Sequence, residues 1–227
     1  IQKFIIKKII QELPEKKVLM DIGAGKGDYT LPISEYFKHI CIVEPNEIFC
    51  ADLAKALLLS GKVVTAYKGI WEDFEETTGQ KYDLITCTEV LYYVLGKKKL
   101  IGAIQKMISC LASGGKIVIS LASENSPTAL PLFKLFSGHN IPILPSFAED
   151  VAECISDLGI SYETTPLKSS ISTRSFEDFT EVLALFTNGE LEAQYIRRNY
   201  ASIIDRNFRT DNGYQIMHTA HLITLSG

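Results

Sequence analysis

The sequence predicts an α/β fold of three layers, in which a mostly parallel sheet lies between two layers of helices. Two observations predict this fold. Short apolar runs alternate along the chain with longer segments of helical periodicity, and strands that alternate with helices form parallel sheets covered on both faces. In addition, a chain of 227 residues that is 46% hydrophobic is long enough for one large domain with a full core.

The first half of the chain contains five predicted strands separated by predicted helices. The strands cover Lys17–Ile22, His39–Glu44, Lys62–Tyr67, Tyr82–Cys87 and Lys116–Leu121. The helices cover Asp28–Phe37, Asn46–Ser60 and Lys97–Leu111. Gly61 and the run Ser113-Gly114-Gly115 follow two of these helices, and glycine provides the left-handed residue at which a helix can end. The opening run IQKFIIKKII predicts an amphipathic helix, because its isoleucines form a stripe beside lysines.

The second half of the chain is predicted to complete the same domain. Its predicted elements are helices at Phe147–Leu158, Ser175–Thr187 and Leu191–Phe208 and strands at Ile160–Pro166 and Tyr214–Leu225, which bring the strand count to seven. Four prolines space out the apolar segments before the first of these helices. We therefore expect a single domain over residues 1–227, with a small helical cap formed by segments at about 125–147 and 173–212.

Charge and cysteine content narrow the class of function. The net charge is −4, which gives no sign of the basic surface that nucleic-acid binding requires. A small-molecule substrate is therefore favoured. The five cysteines are scattered and form no Cys-x-x-Cys pair, which indicates neither disulfides nor a metal site and fits the cytoplasm. Lysines interrupt the opening apolar run, so we expect neither a signal peptide nor a membrane span. The sequence carries no signal for an oligomeric state.

A glycine-rich loop follows the first predicted strand. In Asp21-Ile22-Gly23-Ala24-Gly25-Lys26-Gly27, glycines permit a tight turn and a close approach to a ligand. The third glycine comes one residue too early for a nicotinamide site, and the Lys-Ser/Thr ending of a phosphate loop is missing. Asp21 would repel a pyrophosphate but attract an ammonium or a sulfonium. The alternative is a tight turn without a ligand.

Two further segments indicate a ribose and an adenine ring. Glu44 ends the second predicted strand, where an acid can accept two hydrogen bonds from ribose hydroxyls, and Pro45 then starts the next helix. Alternatively, Glu44 is a helix-entry carboxylate. Ile70 and Trp71, in the run GIWEDF after the third strand, could form an adenine slot. The alternative for Trp71 is a core tryptophan under a loop.

The fourth strand and its exit predict the place of the chemical step. The run from Tyr82 to Val94 brings Cys87, Thr88, Glu89 and Tyr93 to the carboxyl edge of the sheet, where ligands bind in such folds. Aromatic walls and phenol oxygens suit an amine nucleophile, because they stabilise a cation and orient a lone pair.

The ordered set DIGAGKG, CIVEPN, GIWEDF, YDLITCTEVLYYV and LASGGKIVIS resembles the motif series of class I S-adenosylmethionine-dependent methyltransferases. The resemblance implies a Rossmann-like seven-stranded sheet with an antiparallel last strand. It also implies S-adenosyl-L-methionine as cofactor and S-adenosyl-L-homocysteine as product. The implied cofactor residues are Asp21, Gly23, Gly25, Gly27, Glu44, Pro45, Ile70, Trp71, Cys87 and Thr88.

A second resemblance, to the histamine N-methyltransferase group, extends through the second half of the chain. Glutamine and asparagine stand in that group where this chain has Glu89 and His218. Glu89 would favour a cationic or imidazole-bearing acceptor, and His218 could accept a proton. We therefore expect methyl transfer to a small amine or imidazole by in-line displacement, with Glu89, Tyr93 and His218 as catalytic residues.

Other functions remain open at this stage. Oxygen or carbon methylation of a quinone or natural product would use the same fold, with a greater need for a base. The chain could also bind the cofactor as a sensor without catalysis. A dinucleotide oxidoreductase is disfavoured by the glycine spacing.

Overall fold

The computed structural model describes residues 5–94, 96–126, 146–186 and 191–227. In these ranges eight strands form one sheet: β1 Val18–Ile22, β2 His39–Val43, β3 Val63–Tyr67, β4 Tyr82–Thr88, β5 Leu111–Ala122, β6 Tyr162–Thr173, β7 Arg209–Thr210 and β8 Gly213–Ser226. Their order is β3-β2-β1-β4-β5-β8-β6, and β7 pairs with β8. The first five strands pair in parallel, whereas β7 and β8 are antiparallel. The predicted α/β class is confirmed, and two-residue β7 is an addition to it.

Six α-helices connect the strands within the described ranges. They are α1 Thr30–Ser34, α2 Glu47–Leu59, α3 Lys97–Cys110, α4 Ala148–Asp157, α5 Phe176–Phe186 and α6 Ala193–Phe208. The opening run forms a π-helix over Ile5–Ile10, which buries Ile5, Ile9 and Ile10 and confirms the predicted apolar stripe. Helix α1 is much shorter than predicted, because Asp28 and Tyr29 still belong to the turn that leaves the glycine loop.

The strand order places a ligand-binding crevice beside β1. Strands β2 and β3 extend the sheet to one side of β1, whereas β4 and β5 extend it to the other. The connections therefore diverge between β1 and β4, and such a switch point opens a crevice at the carboxyl ends of the strands. The predicted glycine loop and the exit of β4 both lie at this edge.

Strand β5 begins earlier than predicted. It pairs with β4 at Leu111 and again from Lys116, and the register shifts between these two points. The residues between them include Gly114, whose φ of 73° only glycine adopts readily. The predicted turn at Ser113-Gly114-Gly115 is therefore a bulge inside a longer strand, and the predicted start at Lys116 is wrong.

The chain divides into two compact units. The first comprises residues 1–121, 146–165 and 221–227, and the second comprises 122–145 and 166–220. The first unit has its core on the sheet, around side chains such as Met20, Ile85 and Ile117. The second unit has its own core around Phe179, with α5 and α6 packed together.

The predicted arrangement of one domain with inserted cap segments stays a prediction. Residues 127–145, which make up most of the first predicted segment, lie outside the described residues. The second predicted segment, 173–212, includes α5, α6 and β7. No helix in the described ranges is both long and apolar enough to cross a bilayer.

The amino end of β1 depends on one carboxylate from β4. Asp83 Oδ2 accepts hydrogen bonds of 2.8 Å from the backbone N–H groups of Lys17 and Val18. We expect Asp83→Ala to lower the free energy of unfolding by about 1–3 kcal/mol, because both donors lose their acceptor. Urea denaturation measures this change. Asp52→Ala, on the exposed face of α2, is the matched control, and equal effects of the two substitutions would contradict the prediction.

Candidate functional site

The three glycines of the loop after β1 all lie in the left-handed region, but they have different surroundings. A Cβ at Gly23 would lie 2.1 Å from Cγ2 of Val90, and one at Gly27 would lie 2.4 Å from Cδ1 of Leu53. A Cβ at Gly25 would meet no atom within 4 Å. Gly23 and Gly27 are therefore required by packing. At Gly25 the space beside the Cα atom is open, so a ligand could approach the backbone closely at this position.

Glu44 holds the glycine loop against the end of β2. This side chain is only 6% exposed. Its Oε2 accepts a hydrogen bond of 2.8 Å from Gly25 N, and its Oε1 accepts one of 2.8 Å from Asn46 N. Since each carboxylate oxygen has two acceptor sites, each can still accept one hydrogen bond from a hydroxyl group. The carboxylate is thus preorganised for a diol such as ribose.

The helix after β2 begins later than the sequence suggested. Glu47 is its first residue, and Asn46 is its N-cap, whose side chain accepts hydrogen bonds of 3.1 Å from Ile48 N and Phe49 N. Pro45 is exposed and precedes the cap. The prediction that Pro45 starts this helix is wrong, because an asparagine cap satisfies the first helical N–H groups better than proline can.

Asp21 is buried beneath the loop and joins three segments. It is 3% exposed, and Thr30 Oγ1 donates to its Oδ2 at 2.5 Å while Thr86 Oγ1 donates to its Oδ1 at 2.8 Å. Burial raises the pKa of Asp21 to about 6, although the two threonine hydrogen bonds oppose the shift and the Glu44 charge adds to it. Both oxygens have partners within the protein, so a direct contact with a ligand's amino group stays a prediction.

The segment after β3 separates a core side chain from an exposed one. The Trp71 indole is 3% exposed, donates to Ala103 O at 3.1 Å and stacks on Phe74. Ile70, in contrast, is 45% exposed. The adenine contact predicted for the Trp71 side chain is therefore corrected to a core role, because a buried indole has no face to offer. Contact of Ile70 with adenine stays a prediction.

At the end of β4 a buried hydroxyl has no partner. Thr88 is 9% exposed, and its Oγ1 makes no hydrogen bond in the part of the chain that the structure describes. Such orphaned groups are rare in native proteins and call for an unseen partner. The neighbouring Cys87 is fully buried, which raises the pKa of its thiol well above the usual value. The ligand contact predicted for the Cys87 side chain is corrected to packing, whereas Thr88 retains an unused polar atom.

Glu89 has an unusual backbone conformation. Its φ of 56° is the one positive value that a non-glycine residue adopts in the described ranges. Conformations of this kind store about 1–3 kcal/mol of strain and concentrate at functional sites. Its N–H donates to Ser120 O at 2.8 Å, and Ser120 Oγ donates to its Oε1 at 3.3 Å. Burial, followed by the charges of Glu89 and Asp28, raises the pKa of Tyr29, so this phenol stays protonated at neutral pH.

The other two predicted catalytic residues differ in their surroundings. Tyr93 belongs to a 3-10 turn over Leu91–Tyr93 in the first unit and is 54% exposed. His218 lies on β8 within the second unit, and burial lowers the pKa of its imidazole. It is therefore neutral at pH 7 and able to accept a proton. The catalytic roles predicted for both residues stay predictions.

Three residues that sequence reasoning did not single out contribute hydrogen bonds here: Thr30, Thr86 and Ser120. Thr86 and Ser120 could have been found, because each is a polar residue with apolar neighbours on both sides in a buried part of its strand. Such residues usually have a specific partner. Thr30 carries no comparable signal, since threonine is common at the start of a helix.

Other features of the described residues lie away from this edge. One cavity of about 230 Å³ lies between the starts of β1 to β3 and residues 74–80. Another, of about 610 Å³, is lined by Arg174 and the β7–β8 turn in the second unit. All five cysteines are buried free thiols, and the described residues contain no cluster of three or more side chains suited to a metal.

Comparisons with known proteins agree with this geometry. A family model described as "Methyltransferase domain" matches residues 2–203. Histamine N-methyltransferase B of Xenopus laevis is 34% identical over 223 residues, which cover 86% of this chain and 72% of that protein. Histamine N-methyltransferase A of the same organism is 29% identical over 197 residues, covering 75% of this chain. The chain spans only 66% of the length of the A protein.

Solved structures show that the fold is shared. A protein described as a methyltransferase from Bacillus halodurans C-125 matches with a TM-score of 0.70 and 12% identity, covering 96% of each chain. The N-methyltransferase NodS from Bradyrhizobium japonicum WM9, in complex with S-adenosyl-L-homocysteine, matches with a TM-score of 0.51 and 15% identity, covering 93% of this chain and 78% of NodS.

The raised pKa of Asp21 makes a prediction about stability. Unfolded Asp21 ionises near 3.8 and folded Asp21 near 6. As the pH rises between these values, the unfolded chain loses a proton that the folded chain retains, so stability falls with pH. Asp21→Asn removes this titration. We expect the free energy of unfolding of the variant, relative to the natural protein, to rise by about 2 kcal/mol from pH 4 to pH 7.

Urea denaturation across this pH range tests the prediction. The exposed substitution Asp52→Asn serves as control and should give a difference that does not change with pH. A pH-independent difference for Asp21→Asn would show that the buried carboxylate does not titrate as described.

Proposed function

Because this chain belongs to the methyltransferase domain family and is an S-adenosylmethionine-dependent methyltransferase, we propose that it methylates a nitrogen atom of a small amine or imidazole. The observation that carries the proposal is the partly buried Glu89 carboxylate, held in a left-handed conformation at the exit of β4. A carboxylate fixed at this edge attracts a cationic acceptor.

The residues at the carboxyl edge fit the cofactor. Gly25 leaves open space, Glu44 has acceptor sites for ribose hydroxyls, and the buried hydroxyl of Thr88 has no partner among the described residues. S-adenosylmethionine would supply a sulfonium-bound methyl group whose carbon a nitrogen lone pair can attack, while the carbon–sulfur electron pair leaves with sulfur. The buried Asp21 and Glu44 carboxylates complement the positive charge of this ligand.

Support for nitrogen as the acceptor atom comes from charge and from the relatives. The two Xenopus relatives are named for histamine, and the NodS protein is named as an N-methyltransferase. Glu89 and the half-exposed Tyr93 both follow β4 along the chain, so an acid and an aromatic ring come after the same strand. This pair of groups suits a cationic amine, since carboxylates and aromatic faces both attract cations.

The chain's own residues then have limited chemistry to perform. An amine that binds as an ammonium has to lose a proton before its lone pair can react, and the Glu89 carboxylate can accept that proton. Orientation and the exclusion of water supply the remainder of the acceleration. The proton-accepting role predicted for His218 stays a separate proposal, and burial lowers the pKa of its imidazole.

Removal of Glu44 should weaken cofactor binding. We expect Glu44→Ala to reduce the affinity for S-adenosyl-L-homocysteine by about 10- to 100-fold, because hydrogen bonds to a charged group are lost. Isothermal titration calorimetry measures this affinity. Glu47→Ala is the matched control, since Glu47 is an exposed neighbour that pairs only with Lys68 at the surface. Unchanged affinity in folded Glu44→Ala protein would refute the assignment of Glu44.

The acceptor is identified by the methylated product. We expect incubation with isotope-labelled S-adenosylmethionine and a panel of histamine, small primary amines and phenols to give N-methylated amine or imidazole and no methylated phenol, as detected by mass spectrometry. Glu89→Gln should lower kcat/KM for a cationic acceptor at least about tenfold, as expected for loss of a charged partner. Glu75→Gln removes an exposed charge from the segment after β3 and is the control. Labelled phenols without labelled amines would favour oxygen methylation, and cofactor binding without any transfer would favour a sensor.

A further inference from the structure

A buried serine on the neighbouring strand holds Glu89 at two points. Ser120, on β5, is fully buried. Its carbonyl oxygen accepts the Glu89 N–H at 2.8 Å, and its hydroxyl donates to Glu89 Oε1 at 3.3 Å. Ser120 therefore contacts both the backbone and the carboxylate of Glu89.

The backbone of Glu89 requires such support. A left-handed conformation is unfavourable for a side chain of this size, so it persists only where neighbours enforce it. On the other side of Glu89, Val90 fills the space into which a side chain at Gly23 would project. The segment after β4 is thus fixed by β5 through Ser120 and by the glycine loop through Val90. This fixes the carboxylate relative to the loop that holds the methyl donor.

Several carboxylates lie near the carboxyl end of β4 and make the potential there negative. The charges of Asp21, Glu89 and Glu72 all raise the pKa of Cys87, with burial as the largest cause. A neutral acceptor gains little from this field, whereas an ammonium is attracted. Selectivity for a cation therefore depends on how the Glu89 carboxylate is directed.

We propose that Ser120 is a positioning residue, which directs the Glu89 carboxylate toward the ammonium group of a cationic amine acceptor. The proton then passes from the ammonium nitrogen to the Glu89 carboxylate, and the nitrogen keeps the electron pair of the broken N–H bond. This inference rests on the proposed function. It adds that the site distinguishes an ammonium from a neutral group of the same shape, and that it does so through a hydroxyl that does not contact the acceptor.

The test compares a cation with its neutral analogue. Histamine and 4-(2-hydroxyethyl)imidazole differ in carrying an ammonium or a hydroxyl at the same position. Their affinities are measured by isothermal titration calorimetry with the protein saturated by S-adenosyl-L-homocysteine. We expect the natural protein to prefer histamine at least about tenfold, and Ser120→Ala to reduce this preference about fivefold, as expected for one weakened hydrogen bond.

Two further variants separate positioning from folding. Ser34→Ala removes another buried serine hydroxyl, which donates to Leu31 O at 2.7 Å, and should leave the preference unchanged. Ser120→Cys retains a weak donor and should give an intermediate preference. If Ser120→Ala does not fold, the Ser120→Cys value decides, and a preference equal to that of the natural protein overturns the proposal.

Failure of this inference is distinguishable from failure of the proposed function. No binding of S-adenosyl-L-homocysteine to the natural protein refutes the cofactor assignment itself. Cofactor binding with equal affinity for histamine and its alcohol analogue overturns the cation selectivity. A cation preference that survives Ser120→Ala, or that falls equally in Ser34→Ala, overturns the role of Ser120 and leaves the proposed function in place.

Discussion

The buried Asp21 carboxylate is the interaction around which the site is assembled. It accepts hydrogen bonds from the hydroxyl groups of Thr30, at the start of α1, and Thr86, in β4. It thereby joins the segments on both sides of the switch point. Burial makes its charge costly, as the raised pKa shows. A protein selected only for stability would replace it, so its presence is consistent with a ligand whose positive charge it complements.

The glycine loop, which we propose to bind the methyl donor, is held near Asp21 by short, directional contacts. The glycine loop leaves β1 above Asp21, and Glu44 fixes Gly25 by accepting its N–H group. Packing on Val90 and Leu53 excludes any side chain at the two flanking glycines. These contacts hold the loop in place before a ligand arrives, so little conformational entropy has to be lost on binding.

The segment that we propose to bind the acceptor is built differently, because it relies on a strained backbone rather than on glycine. Glu89 has a left-handed backbone conformation that glycine would adopt without strain, but a glycine at this position would carry no charge. The strain is tolerated because Ser120 and Val90 hold the segment from both sides. The strained backbone of Glu89 is locally destabilising. Such strain is common where the position of a charged group has to be accurate.

The sequence alone determined the α/β class, the approximate positions of the first five strands and the glycine loop, because hydrophobic periodicity and glycine requirements are local properties. It could not determine burial. Trp71 and Cys87 were assigned to the ligand from their places in a motif, whereas the sheet and α3 enclose both side chains. Nor could it reveal which residue Ser120 contacts, since Glu89 lies 31 positions away and meets Ser120 only when β4 and β5 pair. Which side chains face the ligand depends on contacts between distant segments, and those exist only in the folded chain.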